Sequence, residues 1–286
     1  MGDHLTSAKA ELRGRPAPRN RTAESEDRPL WRNGADPRRW AFCAGSWARK
    51  ENKRWINIYL TSVLSPQSSI LLMLAAFWLA GAPREMMQFL APGAVAAATI
   101  FNSFLNASSS ILIQREDGAL GDLLMSPLSP IELALGNLLG GVGRGLAVGA
   151  LGLCLLVPFG LIDLQTVQPL SLLGGLCLLA CLGASFGGIF GFGLKTIDRL
   201  MGVINYLVTP LTFLSLTWIS VHSLPDSLYW PAVLNPFAGA TEMLRYGVSG
   251  SADLPFWLRC YLPLVGIALF TTVTTLVIRD GRTLKA

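Results

Sequence analysis

The sequence predicts an all-α integral membrane protein with six transmembrane helices, an N-terminal interfacial helix and an external re-entrant helix. Only 14% of the 286 residues are charged and the mean hydropathy is +0.47, whereas about 25% charged residues is usual in soluble domains. Six stretches hold no Asp, Glu, Lys or Arg, and their residue ranges are 55–82, 86–114, 145–162, 164–194, 200–225 and 260–278. A membrane helix needs about 20 apolar residues, and a charge at its centre costs about 2.5–3.5 kcal/mol.

Residues 1–36 precede these stretches and carry many charges of both signs together with Pro16, Pro18 and Pro29. Such a composition cannot bury a core and predicts a disordered, basic cytoplasmic tail. The first apolar run begins only near residue 56 and is too long for a cleavable signal peptide. Residues 37–286 are therefore expected to form the six-helix membrane domain.

Residues 38–55 combine tryptophan with basic side chains. The residues that define this pattern are Trp40, Trp47, Arg49, Lys50 and Trp55. Tryptophan and basic residues together suit a helix that lies in the lipid headgroup region. The alternative is a solvated extension of the first span.

The distribution of basic residues predicts that both termini are cytoplasmic. Thirteen of the 23 Lys and Arg residues precede Trp55. With a cytoplasmic N-terminus, 20 basic residues fall inside and only Arg84, Arg245 and Arg259 fall outside, as the positive-inside rule requires. The net charge of +5 is thereby explained by orientation and by contact with membrane lipid, and no nucleic-acid partner is expected.

The external segment 223–255 contains an apolar stretch, 233–248, that is too short to cross the membrane. Glu242 and Arg245 are three residues apart, so a helix would place them on one face. Two interpretations remain open for this stretch. It is either a re-entrant helix or a surface loop helix with a solvated ion pair.

Glycines spaced by four residues predict where helices pack closely. They occur in the third and fourth spans as Gly136/Gly140, Gly141/Gly145, Gly145/Gly149, Gly183/Gly187 and Gly187/Gly191. Packing within the chain is favoured over a dimer seam.

No metal or catalytic site is expected. Cys177 and Cys181 are one helical turn apart, but no His or carboxylate is near them in sequence. His4 and His222 lack a nucleophile partner. Arg144 is the one basic residue that could enter the membrane. Of two interpretations, anchoring at the membrane interface is favoured over a functional role inside the membrane.

The segment 114–130 between the second and third spans is amphipathic. Leu120, Leu123 and Leu124 follow helical spacing beside Glu116, Asp117 and Asp122, and Pro127 and Pro130 end the pattern. A short cytoplasmic helix of this kind can dock into a groove on a soluble partner. A plain connecting loop is the alternative.

At this segment the chain resembles the permease subunits of type-2 ABC exporters. The residues that carry the resemblance are Gln88–Gly93, then Arg115-Glu116 with Gly118, then Leu123-Leu124, Pro127-Leu128-Ser129 and Gly136, and then Leu234-Asn235-Pro236 with Arg245-Tyr246-Gly247. The resemblance covers about residues 38–284 and is strongest to bacterial inner-membrane permeases related to the nodulation lipo-oligosaccharide exporter.

The resemblance implies the roles of three segments. Arg115–Pro127 would overlap the coupling helix that sits on a separate ABC ATP-binding subunit, which would bind ATP and magnesium. In the coupling segment, Arg115, Glu116, Asp117, Gly118, Leu120 and Leu123 would carry the contact, the acidic residues facing basic residues of the ATPase and the leucines filling its groove. Residues 38–55 would be the interfacial connecting helix, and 233–248, with Asn235 and Pro236 before Glu242, would be the external re-entrant helix.

Two permeases and two ATPases would form the working unit, which makes a homodimer the expected state, although a heterodimer with a paralogue stays open. The expected location is the bacterial inner (plasma) membrane. The chain itself is expected to hydrolyse no ATP and to bind no cofactor. Its nearest approach to a Walker motif, residues 188–196, has an extra Leu194 and ends a membrane span.

These observations predict the transmembrane permease subunit of an ATP-driven exporter for an amphipathic, lipid-linked or drug-like solute. One alternative is an ion-coupled secondary transporter, which would place ionisable residues near the bilayer midplane. We expect no such residue in the central regions of the spans. A second alternative, a membrane enzyme or non-transport scaffold, would require a polar cluster larger than Glu242 and Arg245.

Overall fold

The computed structural model describes Gly45 and residues 63–124, 128–163 and 165–281, apart from the side chain of Asp122. The predicted tail 1–36 lies outside these residues. So does the predicted interfacial helix 38–55 apart from Gly45, and with it Trp40, Trp47, Arg49, Lys50 and Trp55. Within the described ranges the regular structure is helical and contains no strand.

The α-helices of the described ranges follow one another with short connections. In chain order they are α1 (Ser65–Leu79), α2 (Arg84–Glu116), α3 (Leu120–Leu124), α4 (Pro130–Leu156), α5 (Pro169–Gly193), α6 (Ile197–Val203), α7 (Thr209–Phe213), α8 (Asp226–Val233), α9 (Pro236–Ser249) and α10 (Phe256–Asp280).

Four of the described helices, α2, α4, α5 and α10, are long and apolar enough to cross a membrane. Helices α2, α5 and α10 match the predicted ranges 86–114, 164–194 and 260–278 to within five residues at each end. Pro92 lies inside α2 and Pro263 lies inside α10. Membrane helices tolerate internal prolines because neighbouring helices satisfy the backbone groups that proline leaves unpaired. The first predicted span is described only from Val63 onward.

The third span extends well before its charge-free stretch and includes Gly136 and Gly140, as expected. Helix α4 starts at Pro130, about four turns before the charge-free stretch 145–162 begins. Its start is stabilised by Glu132, whose Oε2 accepts a hydrogen bond from the backbone N–H of Ser129 at 2.7 Å, the arrangement of an N-terminal cap. Arg144 consequently lies in the middle of the helix and not at its end.

The predicted fifth span, 200–225, is a helical run with a change in hydrogen-bonding pattern. A π-helical turn, Ile204–Val208, joins α6 to α7. Pro210 has no N–H for the usual i→i−4 bond, and the Thr209 hydroxyl donates to the Ile204 carbonyl at 3.0 Å. The run ends at Phe213, so the second half of the predicted range is not part of this helix.

Helix α5 is central because α2, α4, α9 and α10 all pack against it. A Cβ at Gly183 would lie 2.6 Å from the Ile100 carbonyl oxygen of α2, and a Cβ at Gly145 of α4 would overlap the Ser103 hydroxyl. Only glycine permits so close an approach. The prediction that the spaced glycines pack helices within the chain is confirmed for Gly141, Gly145, Gly149, Gly183, Gly187 and Gly191.

Helix α9 packs beside α5 with most of its residues buried. Near its end, a Cβ at Gly247 would press on the Leu172 backbone close to the start of α5. At its beginning, the Phe237 ring lies 5.9 Å from the Phe186 ring, measured between centroids. Since Leu172 and Phe186 are fourteen residues apart on α5, α9 extends along about 21 Å of that helix.

Candidate functional site

The predicted coupling segment begins at a sharp turn between α2 and α3. Helix α2 ends at Glu116, and Gly118 has a φ of +74°, a left-handed conformation that glycine adopts without a Cβ clash. The side chains of Glu116 and Asp117 are exposed. The turn therefore presents two carboxylates at the end of a long membrane helix.

Arg115 joins this turn to the end of α5. Its Nη1 donates to the Leu194 carbonyl at 2.6 Å and its Nη2 donates to the Phe192 carbonyl at 3.3 Å. Carbonyls at the end of a helix have no intrahelical donor and carry the negative end of the helix dipole, so a cation suits this position. Just beyond it, Lys195 and Arg199 are exposed. The same end of the bundle thus carries exposed carboxylates on one connection and exposed basic groups on the next.

The leucines of α3 are directed into the bundle. Leu120 is 5% exposed and belongs to a buried cluster with Ile111, Phe192 and Ile278, against which Leu123 and Leu124 pack in part. The expectation that Leu120 fills a groove on a partner is wrong, because its surface is already used inside this chain. Pro127 and the side chain of Asp122 lie outside the described residues.

The predicted pair Glu242 and Arg245 is fully formed and buried. Glu242 is 0% exposed and Arg245 is 5% exposed, and the Arg245 Nη1 donates to the Glu242 Oε1. The Arg245 guanidinium also stacks 3.9 Å from the centroid of the Phe89 ring, a cation–π arrangement. The expectation of a solvated ion pair, which belonged to the surface-helix interpretation, is wrong, because both side chains are buried within the chain.

Further hydrogen bonds connect the pair to two loops. The Arg245 Nη2 donates to the Leu216 carbonyl at 2.7 Å, and the Glu242 Oε2 accepts from the backbone N–H of Asp253 at 2.9 Å. Leu216 itself has a φ of +58°, which is strained for a residue with a Cβ. Sequence reasoning missed Leu216 and Asp253 because nothing in their local sequence marks a contact made through the backbone.

Asn235 begins α9 in the way that its sequence indicates. Its Oδ1 accepts from the Phe237 N–H at 3.0 Å and its Nδ2 donates to the Leu211 carbonyl at 3.3 Å. Pro236 follows at the first helical position, where its missing N–H costs nothing. These contacts fix the entry of α9 beside α7.

The glycine-rich stretch 188–196 is not arranged to bind phosphate. Its glycines lie within α5 up to Gly193, and a Cβ at Gly188 would lie 3.2 Å from the Thr274 side chain. A phosphate-binding loop instead presents free backbone N–H groups between a strand and a helix. The interpretation as packing residues is confirmed for Gly188 and Gly191, whereas a Cβ at Gly193 would meet no atom within 4 Å. In the described ranges no group of three or more His, Cys, Asp or Glu is placed to hold a metal ion.

The long apolar helices and the buried charge network define a polytopic α-helical membrane protein. The chain belongs to the ABC-2 type transporter family, whose pattern it matches over residues 46–248. It is similar to proteins named inner membrane transport permease YadH from Escherichia coli strain K12, Escherichia coli O157:H7 and Shigella flexneri. Each is 28% identical over 256 residues, which cover 86% of this chain and 98% of the relative.

Proposed function

We propose that this chain is the transmembrane permease subunit of an ATP-driven ABC exporter. It moves an amphipathic, lipid-linked or drug-like solute out of the cytoplasm, and a separate ATP-binding subunit binds ATP and magnesium and supplies the energy. Membership of the ABC-2 type transporter family supports the transport role. The similarity to the YadH inner membrane transport permeases supports a place in the bacterial inner membrane.

The observation that carries this proposal is the attachment of the acidic turn to two membrane helices. Glu116 and Asp117 are exposed for a partner, while Arg115 of the same turn holds the end of α5 through Leu194. A force applied to the turn by an ATPase is therefore transmitted to α2 and α5 together. Interiors are close-packed and resist compression, so the two helices move as a unit.

The topology we propose has six spans with both termini cytoplasmic. The first span includes α1 and residues before it, and the fifth comprises α6, the π-helical turn and α7. Helix α9 is the re-entrant helix, because its beginning reaches far along α5. Phe237, near the start of α9, contacts Phe186. Phe186 lies seventeen residues into α5, about 25 Å from the external start of α5. The working assembly contains two copies of this chain and two ATPases.

An ion-coupled secondary transporter is the competing function. The prediction that the central regions of the spans hold no ionisable residue was wrong, because Arg144 is the fifteenth residue of the 27-residue helix α4. A guanidinium stays protonated at all physiological pH values, so Arg144 cannot act as a proton carrier. This chemistry favours the ATP-driven function over proton coupling.

The test is affinity purification of the full chain from its native host in a mild detergent. We expect an ATPase with a Walker motif to co-purify at near-equal stoichiometry. The complex should hydrolyse ATP, and replacing the lysine of the partner's Walker motif should abolish this hydrolysis. Purification of the chain without an ATPase in several mild detergents would contradict the proposal and favour a self-contained transporter.

A further inference from the structure

An apolar cavity of about 820 Å³ opens where α1 ends and α2 begins. The buried part of its lining includes Leu74, Met87 and Leu161. Two lining rings, those of Trp78 and Phe159, are exposed. Tryptophan is enriched where the hydrocarbon of a membrane meets water. We infer that the mouth of the cavity lies at the membrane surface and that its interior is apolar.

One face of α1 forms the long wall of this cavity. Leu71, Leu74, Ala75 and Trp78 line it and follow the i, i+3, i+4, i+7 spacing of a single helix face. Seven residues of an α-helix correspond to about 10 Å, so the cavity extends that far along α1, away from the membrane surface. A long apolar wall of this kind suits an extended hydrocarbon chain.

Arg84 supplies the formal charge among the described residues of the lining. It is the first residue of α2, and its side chain is exposed. Its Nη2 donates to the Gly160 carbonyl at 2.8 Å. A Cβ at Gly160, whose φ is +64°, would lie only 2.9 Å from that nitrogen, so glycine permits the contact.

The contact with Gly160 orients the guanidinium without neutralising it. Within the described part of the chain, this hydrogen bond uses one of the five N–H donors of the arginine, and its acceptor is an uncharged carbonyl. The planar fork of the guanidinium matches the oxygens of a phosphate. Arg84 is therefore placed to bind a phosphate at the mouth of the cavity.

The charges at the mouth indicate which feature of a headgroup is recognised. Glu85 follows Arg84 and is also exposed, so the mouth carries both signs of charge and does not favour a headgroup with net negative charge. A phosphate that is joined to hydrocarbon chains is the feature that all glycerophospholipids share. These lipids also surround the cavity in any biological membrane.

We propose that this cavity binds one glycerophospholipid of the surrounding membrane, with its phosphate on Arg84 and one acyl chain along α1. The apolar interior favours a lipid over a water-soluble anion, and Arg84 favours a phospholipid over a neutral lipid. Helix α1 packs against α2 and α4, and the acyl chain adds to this packing by filling the space beside it. In the proposed topology this end of α1 is external, so the lipid belongs to the outer leaflet.

The experiment is native mass spectrometry of the full chain, purified in a mild detergent and mixed with one lipid at a time. The probes are dioleoyl phosphatidylglycerol, dioleoyl phosphatidylethanolamine and dioleoylglycerol, which has the same chains but no phosphate. We expect the wild type to retain one molecule of either phospholipid and little dioleoylglycerol. Arg84→Gln should lower the phospholipid-bound fraction about threefold or more, as for the loss of an exposed charge contact, and Arg84→Lys should lower it less.

Two matched controls separate a specific site from general effects. Ala75→Phe should reduce retention because it fills the cavity and leaves the charge, whereas Ala76→Phe changes the next residue of α1, which is exposed and does not line the cavity. Arg279→Gln removes an exposed arginine at the far end of α10. Both control variants should retain phospholipid like the wild type. Gel filtration of every variant distinguishes a folding defect from a lost contact.

Equal retention by the wild type and Arg84→Gln would overturn the proposal, as would retention of dioleoylglycerol as strong as that of the phospholipids. A loss in Arg279→Gln as large as that in Arg84→Gln would also overturn it, because it would show a general effect of charge. A co-purified amphiphile that is not a phospholipid, and that Ala75→Phe alone removes, would assign the cavity to the exported solute instead. Binding is measured without an ATPase, so the result is independent of the transport function.

Discussion

Arg115 donates a hydrogen bond from Nη1 to the Leu194 carbonyl at 2.6 Å and so connects the last turn of α2 to the end of α5. The two residues are 79 positions apart in the sequence. Hydrogen bonds from charged groups are worth about 1.5–3 kcal/mol when shielded from water, and this one is only partly buried, so its effect on stability is smaller. We infer that its main consequence is mechanical, since it makes the acidic turn and two membrane helices one body.

We expect Arg115→Lys to reduce ATP-driven transport while leaving the amount of complex nearly unchanged. Lysine keeps the charge, but its single ammonium group cannot reach the Leu194 and Phe192 carbonyls with the same planar fork. Transport per ATP hydrolysed, measured in proteoliposomes, should fall severalfold. Arg279→Lys is the matched control, because Arg279 is exposed in the last turn of α10. An unchanged transport-to-ATPase ratio in Arg115→Lys would show that the connection is not part of coupling.

Removing one member of the buried ion pair should destabilise the protein strongly. Glu242→Ala leaves the Arg245 guanidinium buried without its carboxylate, which typically costs about 3–5 kcal/mol. A decrease in the melting temperature of roughly 6–20 °C follows at about 2–4 °C per kcal/mol. Thermal unfolding in detergent, followed by cysteine-reactive dye or by size-exclusion fluorescence, measures it.

The control for this effect is Glu85→Ala, since Glu85 is exposed in the first turn of α2. The double variant Glu242→Leu with Arg245→Met should recover part of the lost stability, because it removes both charges from the interior. Recovery will be incomplete, since the Leu216 carbonyl and the Asp253 N–H then lose their partners. A Glu242→Ala variant as stable as Glu85→Ala would show that the buried pair does not support the fold.

Most of the membrane helices could be predicted from charge-free stretches because a charge in hydrocarbon is costly. That rule placed α2, α5 and α10 closely and marked only the second part of α4, where Arg144 interrupts an apolar helix. The rule assumes that every charge marks a boundary. An arginine inside an apolar helix violates the assumption, and no local pattern distinguishes it from an arginine at the interface.

The candidate site was predictable where it depends on neighbours in sequence. The spacing of Glu242 and Arg245 is a helical spacing, and the acidic turn at Glu116 follows from the end of an apolar run. Partners contributed through the backbone were not predictable, because the Leu216 carbonyl and the Leu194 carbonyl meet their arginines only through tertiary packing. The burial of Leu120 inside the chain was also not predictable, because the sequence does not tell whether the apolar side of an amphipathic helix faces the bundle or a partner.

The close contact of α5 with α2 predicts that Gly183→Ala will be severely destabilising. A Cβ there would lie 2.6 Å from the Ile100 carbonyl oxygen, and backbone atoms cannot move aside as a flexible side chain can. Overpacking of this kind costs about 1–3 kcal/mol or more. Gly193→Ala is the control in the same helix, because a Cβ there meets no atom within 4 Å. Both variants are compared by the monodisperse fraction recovered after detergent extraction, and equal recovery would contradict the packing argument.

Reversing the charge of the acidic turn should weaken binding of the ATPase. Exposed ion pairs are worth about 0.2–1 kcal/mol each, and reversal replaces attraction with repulsion, so Glu116→Lys with Asp117→Lys should lower affinity roughly tenfold. Glu85→Lys makes the same kind of charge change at the other end of α2 and should leave affinity unchanged. Raising the salt concentration should narrow the difference between the wild type and the double variant, because salt screens exposed charges. The amount of ATPase recovered with each variant, relative to the permease, measures the effect. Recovery from the double variant equal to that from Glu85→Lys, at low and high salt, would show that the ATPase does not bind at this turn.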